Sequence, residues 1–329
     1  RQRQMCIRDR VVVGTHALFQ DGVDYARLGL VIVDEQHRFG VQQRLQLMAK
    51  GSETARQPHQ LVMTATPIPR TLAMTLYADL DTSVIRELPP GRQPVRTVAI
   101  ADARRAEIVQ RVQAACRDGR RAYWVCPLIE ESDALDSQAA ETAYAMLKEA
   151  LPDVRVGLVH GRMRADEKDR AMKAFAGGET QLLVATTVIE VGVDVPEATL
   201  MIIENAERLG LSQLHQLRGR VGRGDQESAC VLLYSQPLNR MARERLDTLR
   251  RTSDGFEVAQ KDLELRGPGE VLGTRQTGLM QMRIADLVRD ADLALPVQSI
   301  AQQLLAEKPG VAERLIGRWI GKAADYSQV

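Results

Sequence analysis

The sequence has few of the features that mark secreted, membrane-spanning or metal-stabilised proteins. Its 329 residues include four cysteines, which are scattered without a C-x-x-C pair or nearby histidines, so neither a disulfide framework nor a zinc site is expected. No apolar run approaches the roughly 20 residues that span a bilayer, and no secretory leader is visible. We therefore predict a reduced, cytoplasmic protein with no membrane partner.

An excess of charge of one sign is missing as well. The formal net charge is +1, from 44 lysines and arginines against 43 aspartates and glutamates. Because no overall basic field attracts nucleic acid, any such contact must come from local groups of arginines. The chain is 44% hydrophobic and 26% charged, which is typical of a globular protein, and it is long enough for two or more domains.

Short apolar runs alternate with helical patterns along most of the chain. The candidate strands are residues 11–13, 30–33, 61–64, 95–100, 122–126, 156–160, 182–186, 199–203 and 229–234, and candidate helices include 103–117, 137–150 and 165–176. Continuous apolar runs are typical of strands buried on both faces. The alternation therefore predicts an α/β fold with parallel sheets covered by helices.

Changes of pattern divide the chain into four parts. Residues 1–10 are polar and arginine-rich, and we expect a disordered or non-native tail. The proline-rich segment 87–94 predicts a linker between a partial α/β domain at 11–90 and a complete one at 91–236. Helical patterns dominate residues 237–329, which we predict to be a mostly helical module.

Asp34 and Glu35 follow the apolar run 30–33. An acidic pair at the end of a buried strand can hold Mg²⁺ through the aspartate, while the glutamate orients and deprotonates an attacking water. His37 lies just beyond and could relay the state of such a site. Taken alone, this string would more often be an acidic surface turn.

Gln216, Arg220 and Arg223 form the most specific pattern, Q-x-x-G-R-x-G-R. On a helix, positions three apart share a face, so the two arginines would present a fork for phosphate oxygens. An arginine supplied from a second domain stabilises the charge of a transferring γ-phosphate. A solvated basic helix end is the alternative, and it leaves the glycine–arginine spacing unexplained.

Threonines and a histidine follow three other predicted strands. Thr64 and Thr66 can bond carboxylates or phosphates at a sheet edge. Taken alone, they would more often belong to a proline-stiffened loop, but their order and spacing relative to Asp34 favour a role in coupling. After His160, backbone N–H groups could bind a phosphate, although a lone histidine is more often structural. Thr186 and Thr187 end a strand where phosphate contact is plausible.

Gly192 and Asp194 follow those threonines. Gly192 permits a tight turn, and Asp194 could accept a ribose hydroxyl. The alternative for Asp194 is a loop cap before Pro196.

Together these motifs resemble the superfamily 2 helicases and, among them, the RecG family of DNA translocases. The matching stretches are residues 14–17, 34–41, 64–71, 185–224, 254–270 and 273–278. The string from Asp34 to Gly40 and the segment 254–270, which is similar to that family's translocation motif, narrow the resemblance to RecG or the transcription-repair coupling factor. Gln36 favours RecG, because the other family usually has glutamate there.

The resemblance implies two RecA-like lobes and an ATP- and Mg²⁺-dependent motor on double-stranded DNA. Such a motor remodels stalled forks and Holliday junctions in repair and recombination, so branched DNA is the implied partner. A single-strand-binding protein is a further implied partner, and we expect a monomer. By motif match, Asp34 and Glu35 serve magnesium and water, and Gln216, Arg220 and Arg223 serve the γ-phosphate.

The resemblance also implies residues for DNA contact and coupling. His160 and Thr187 would lie near the DNA backbone. A helical hairpin around Arg245 would feed a loop from Arg266 to Gln276, which converts closure of the motor into a stroke along the duplex. Without the resemblance, this loop is a glycine–proline segment with incidental polar residues.

The sequence departs from the family's pattern in one respect. It has no G-x-x-x-x-G-K-[ST] motif, since Gly321-Lys322 is followed by Ala323, and the family's junction-binding wedge domain is also absent. We therefore expect a truncated chain that hydrolyses little or no ATP alone, because the cradle for the β- and γ-phosphates is missing.

Three alternatives remain open. One is a transcription-repair coupling translocase whose partner is RNA polymerase. Another is a non-catalytic nucleic-acid-binding fragment, although the intact acidic pair and arginines argue against it. The third is a doubly wound metabolic enzyme, which would leave the arginine pair unexplained and would normally carry G-x-G-x-x-G.

Overall fold

A computed structural model describes residues 11–20, 22–23, 25, 27–35, 58–64, 83–85, 87, 92–127, 133–187, 195–266, 289–290 and 293–319. The chain groups into two compact units, Arg1–Ala65 with Leu304–Val329 and Thr66–Gln303. None of the helices in these described segments combines the length and hydropathy needed to cross a bilayer.

The first unit contains a parallel pair of short strands, β1 (Leu30–Val33) and β2 (His59–Val62). Val33 pairs with Val62, so the chain leaves both strands at the same end of the pair. β2 begins two residues before the predicted strand, because its pairing with β1 sets its limits.

The predicted strand at residues 11–13 is wrong. These residues belong to no strand, and the side chains of Val11 and Val13 are 80% and 92% exposed. This apolar run of three residues pairs with no described strand, which leaves its side chains exposed.

The second unit is built on a six-stranded sheet with the order β3-β8-β7-β4-β6-β5. Every neighbouring pair is parallel. The bounds are β3 (Arg96–Ala101), β4 (Arg121–Val125), β5 (Val156–Val159), β6 (Leu182–Ala185), β7 (Ala198–Ile203) and β8 (Ala229–Tyr234). The predicted α/β fold with parallel strands is confirmed.

The central strands bury side chains on both faces of this sheet. Met201 and Ile202 are adjacent in β7 and fully buried, yet they belong to different hydrophobic clusters. Met201 lies in the cluster of Phe175, whereas Ile202 lies in that of Trp124 and Leu147. Because alternate side chains point to opposite faces, such strands form continuous apolar runs.

Eight helices connect and follow these strands in the described part of the chain. They are α1 (Arg105–Arg117), α2 (Asp133–Ala150), α3 (Ala165–Ala176), α4 (Leu211–Arg218), α5 (Arg240–Arg251), α6 (Gly255–Arg266), α7 (Ala294–Glu307) and α8 (Pro309–Trp319). α5 begins where Asn239 Oδ1 accepts a hydrogen bond of 2.7 Å from the N–H of Ala242, as an N-cap side chain does.

Helices α5 and α6 are joined by a short connection. Thr252 Oγ1 accepts a 3.0 Å hydrogen bond from the N–H of Asp254. Asp254 Oδ1 then accepts one of 2.8 Å from the N–H of Phe256, which satisfies a donor in the first turn of α6. The two helices together form the α5–α6 hairpin.

Candidate functional site

Asp34 and Glu35 lie directly beyond β1. The N–H of Glu35 donates to Asp34 Oδ1 at 2.9 Å, and the Asp34 side chain is exposed. Glu35 has a φ of 54°, a left-handed conformation that is uncommon outside glycine. The chain therefore turns sharply here, and a carboxylate is left open to solvent at the end of the strand.

Thr64 lies at the same end of the strand pair as Asp34. The N–H of Met63 donates to the carbonyl of Val33 at 2.8 Å, so the residues that follow β1 and β2 leave the pair together. Five other predicted site residues lie outside the described residues: His37, Thr66, Gly192, Asp194 and Gln276.

His160, Thr186 and Thr187 meet at the carboxyl end of the six-stranded sheet. Val159 pairs with Ala185, and the N–H of Thr186 donates to the carbonyl of Val159 at 3.2 Å. The three side chains are buried, with exposures of 8%, 1% and 8%. The structure thus brings together residues that follow two neighbouring strands.

Two polar atoms at this end are buried without a hydrogen-bond partner among the described residues, His160 Nδ1 and Thr186 Oγ1. Leaving such an atom unsatisfied costs about 1–3 kcal/mol. His160 Nε2 lies 3.5 Å from Glu141 Oε1. A water or a phosphate oxygen at this end could meet the unused hydrogen-bonding capacity of both side chains.

Glu204, which the sequence did not single out, follows β7 at the same end of the sheet. Its carboxylate accepts hydrogen bonds from the guanidinium of Arg105 and the indole N–H of Trp124. The Arg105 guanidinium also lies 5.3 Å from the centre of the Trp124 ring. Glu204 thereby links β7 to β4 and to the start of α1.

Residues 219–224, here called the arginine loop, follow α4 rather than continuing it. The helix ends one residue before Gly219, so the prediction that Arg220 and Arg223 share a helical face is wrong. Arg223 Nε donates to the carbonyl of Gly219 at 3.1 Å. Gln216 and Arg220 are half-buried and Arg223 is exposed, so a turn presents the two guanidinium groups.

The arginine loop packs against the amino end of the same sheet. Gly222 has a φ of 73°, and a Cβ there would lie 2.6 Å from Val95 Cγ2 and 3.6 Å from Ser228 Cβ. A Cβ on Gly224 would lie 3.0 Å from the carbonyl oxygen of Pro196. Val95, Pro196 and Ser228 precede strands of the sheet. The loop therefore lies at the opposite end of the sheet from His160.

Arg218 is the main residue that sequence reasoning missed. It is 5% exposed, and its Nη1 donates to the carbonyls of Leu249 at 2.9 Å and Thr252 at 2.8 Å. Its Nη2 lies 2.8 Å from His215 Nδ1. Burial, followed by the charges of Arg218 and Arg92, lowers the pKa of His215 to about 4. His215 is therefore neutral at pH 7, and its Nδ1 accepts the hydrogen bond from Arg218.

Arg245 and Arg266 lie close together on the α5–α6 hairpin. Arg245 Nη2 donates to the carbonyl of Glu207 at 2.7 Å, and Arg266 Nε lies 3.1 Å from Asp262 Oδ1. Asp262 Oδ2 also accepts a 3.0 Å hydrogen bond from the hydroxyl of Ser212 on α4. Burial, followed by the charge of Arg266, lowers the pKa of Arg245. Asp262, which was not predicted, thus joins the hairpin to α4.

Three family models match successive parts of the chain. The DEAD/DEAH box helicase model matches residues 1–75, and the helicase conserved C-terminal domain model matches residues 103–225. A third model, "ATP-dependent DNA helicase RecG, domain 3, C-terminal", matches residues 252–315. With the parallel sheet, these matches indicate the RecA-like fold that helicases share.

Two of the most similar relatives carry the same name within the helicases. The ATP-dependent DNA helicase RecG of Escherichia coli (strain K12) is 62% identical and that of Pasteurella multocida 61% identical, each over 97% of this chain. The chain belongs to the RecG family and corresponds to its C-terminal part. It spans 46% of the length of each of these two relatives.

Solved structures agree with this assignment. A structure of RecG bound to a three-way DNA junction is 46% identical, with a TM-score of 0.65 over 86% of this chain and 35% of that one. The DUF1998 helicase MrfA bound to DNA and AMPPNP has a TM-score of 0.52 over 76% of this chain and 37% of that one. At 12% identity, the second likeness concerns the fold alone. The predicted RecA-like fold is confirmed.

Proposed function

We propose that this chain is the motor part of an ATP-driven double-stranded DNA translocase that remodels stalled forks and Holliday junctions. The observation that carries the proposal is the 61–62% identity to RecG helicases over 97% of the chain. We propose a partial first lobe at 11–90, a complete second lobe at 91–236 and a helical module at 237–329. The protein would act as a cytoplasmic monomer, with a single-strand-binding protein as a second partner.

The acidic pair and the arginine loop carry the proposed hydrolysis. The exposed Asp34 carboxylate at a strand end suits Mg²⁺ held through water, and Glu35 would orient and deprotonate the attacking water. Bound Mg²⁺ neutralises charge on the phosphates. Gln216, Arg220 and Arg223 would contact the γ-phosphate, and a turn rather than a rigid helix would present the two arginines.

Further roles are proposed for residues around the nucleotide. His37 would relay the state of the site, and Thr64 and Thr66 would couple it to movement of the lobe. Gly192 would allow the turn that brings Asp194 to the ribose hydroxyl.

DNA contact and coupling are assigned to the carboxyl end of the sheet and to the hairpin. His160 and Thr187 would lie beside the DNA backbone. Support comes from the buried polar atoms at this end that have no partner among the described residues. Arg245, Arg266 and Gln276 would transmit closure of the motor to the duplex, and the bond from Ser212 on α4 to Asp262 on the hairpin supports this route.

A chimera tests the proposed function. The 319 matching residues of the Escherichia coli relative would be replaced by those of this chain, and ATP-dependent migration of a fluorescent Holliday junction would be followed. We expect junction migration that stops when ATP is omitted. A folded chimera that binds the junction but never moves it with ATP would contradict the proposal.

The 329-residue chain tested without the rest of the relative should hydrolyse little ATP. Its sequence carries no glycine–lysine loop to cradle the β- and γ-phosphates. Steady-state turnover with saturating duplex DNA is the measurement. Turnover close to that of the chimera would show that the loop is dispensable.

A further inference from the structure

A cavity of about 420 Å³ lies between the start of β3 and the end of α5. It is lined by residues 94–98, Arg218 and residues 249–253, and this set is called the basic pocket. Neither Arg220 nor Arg223 lines it. The cavity adjoins the arginine loop through Val95, but it is lined by arginines other than the two proposed to contact the γ-phosphate.

The lining of the basic pocket is positively charged. Arg96, Arg218, Arg250 and Arg251 all face it, and the residues that line it include no aspartate or glutamate. Arg250 pairs with Asp247 at 2.9 Å. Arg96 and Arg251 are exposed, and neither makes an ion pair with a carboxylate of a described residue. Arg96 and Arg251 thus add positive charge to the pocket that no ion pair with a described residue offsets.

Arg218 reduces the repulsion that an anion would meet at the carboxyl end of α5. The carbonyls at a helix carboxyl end repel anions, but those of Leu249 and Thr252 accept hydrogen bonds from Arg218 Nη1. A guanidinium has five N–H groups, and the contact with His215 uses a third. Two N–H groups of Arg218 make no hydrogen bond to a described residue, and Arg218 is one of the residues that line the pocket.

We propose that the basic pocket binds a phosphate group, either free inorganic phosphate or a backbone phosphate of duplex DNA. A role for Arg218 as a helix cap does not account for Arg96 and Arg251, which face the same concave surface. Guanidinium groups are strong donors to phosphate oxygens, and the hydroxyls of Thr252 and Ser253 add two more donors. The proposal needs only this chemistry and does not depend on motor activity.

Two double variants of the 329-residue chain test the proposal. Arg96→Gln with Arg251→Gln removes two guanidinium groups from the pocket. Arg111→Gln with Arg120→Gln removes the same charge from exposed positions that do not line it. All four side chains are exposed, so both variants should fold, which far-UV circular dichroism would verify.

The first measurement uses sodium phosphate against sodium chloride at equal ionic strength. If free phosphate is the ligand, phosphate should raise the Tm of the native chain and of the Arg111/Arg120 variant more than chloride does. The Arg96/Arg251 variant should not show that extra rise, and its phosphate affinity should be reduced about tenfold or more because two charged donors are missing.

The second measurement is the salt dependence of binding to a duplex, followed by fluorescence anisotropy. If a DNA phosphate is the ligand, the slope of log K against log salt should become shallower in the Arg96/Arg251 variant. The expected change is about one for each DNA phosphate that the variant no longer neutralises.

If only the Arg96/Arg251 variant loses the extra rise in Tm, the ligand is free phosphate; if only this variant has the shallower salt slope, the ligand is a DNA phosphate. Either result supports the proposal. The proposal is overturned if the Arg96/Arg251 variant matches the native chain in both measurements. It is also overturned if the Arg111/Arg120 variant changes by the same amount as the Arg96/Arg251 variant.

Discussion

The two ends of the six-stranded sheet offer different chemistry. At the carboxyl end, His160 and Thr186 are buried, and each holds a polar atom without a partner among the described residues. At the amino end, Arg220 and Arg223 stand on a glycine-containing turn, one half-buried and one exposed. Residues that follow strands collect at one end of a parallel sheet, and residues that follow the returning helices collect at the other. One sheet thereby keeps the proposed DNA contact and the proposed phosphate contact apart.

The largest expected effect is on the amino end. In the chimera, Arg220→Ala should lower ATP turnover about 10³-fold, as loss of an arginine that stabilises a transferring phosphate does. Turnover at saturating duplex is the measurement, and Arg170→Ala on the exposed surface of α3 is the control. Unchanged turnover in Arg220→Ala would remove the arginine loop from the proposed nucleotide site.

Gly222→Ala tests how far the turn depends on glycine. The substitution should cost about 3 kcal/mol of unfolding free energy, because it combines a positive φ with a close contact to Val95. Gly119→Ala is the matched control, since its φ is 81° and nothing lies within 4 Å of an added Cβ. It should cost about 1 kcal/mol. Equal costs in urea denaturation would mean that the contact with Val95 contributes nothing.

The His215–Arg218 pair should make stability depend on pH. The pKa of His215 falls from 6.5 to about 4 in the folded protein, so folding favours the neutral ring. Its contribution is complete above pH 6.5 and is lost as the pH falls from 6.5 to about 4. The unfolding free energy should drop by about 2 kcal/mol more over this interval in the native chain than in His215→Gln. Urea denaturation at several pH values is the measurement.

His59→Gln is the control for that experiment, because His59 is exposed on β2. Its dependence on pH should follow the native chain. If His215→Gln also followed the native chain, His215 would not be the group that titrates.

The smallest expected effect comes from comparing one threonine at each end of the six-stranded sheet. Thr186→Val at the carboxyl end and Thr199→Val at the start of β7 each remove a buried hydroxyl without a partner among the described residues. Each should raise the unfolding free energy by about 1 kcal/mol. Only Thr186→Val should also weaken duplex binding by the chimera, because Thr186 is adjacent to Thr187 and bonds to the carbonyl of Val159, beside His160, and His160 and Thr187 are the residues proposed to contact DNA. Anisotropy is the measurement. Equal loss of binding in both variants would mean that the carboxyl end has no special role.

The buried strands of the second unit could be predicted to within one residue. Their apolar runs are continuous because both faces of the sheet are covered. The pattern therefore does not depend on which helices or strands pack against each strand. Residues 11–13 have the same composition but pair with no described strand, and composition alone cannot distinguish the two cases. The arginine spacing indicated a phosphate-binding group, which stays a prediction, whereas Gly219 and Gly222 turned the expected helix into a loop.

The residues that connect distant parts of the chain could not be predicted. Arg218, Arg220 and Arg223 are equivalent in a local pattern, and only Arg218 is buried. Its partners Leu249 and Thr252 lie 31 and 34 positions away. Glu204 is likewise 99 positions from Arg105. Such pairs arise from packing of the whole unit, which no local spacing encodes.

Helix α4 is fastened at both ends to the same hairpin. Near its start, Ser212 donates to Asp262, and a Cβ on Gly210 would overlap Arg266 Nη2. At its other end, Arg218 holds the carbonyls at the end of α5.

These two attachments fix the number of residues in α4. One inserted residue would rotate all that follows by about 100° and advance it by about 1.5 Å, so both attachments could not survive together. Related chains should accept substitutions on the outer face of α4 but neither insertions nor deletions within it.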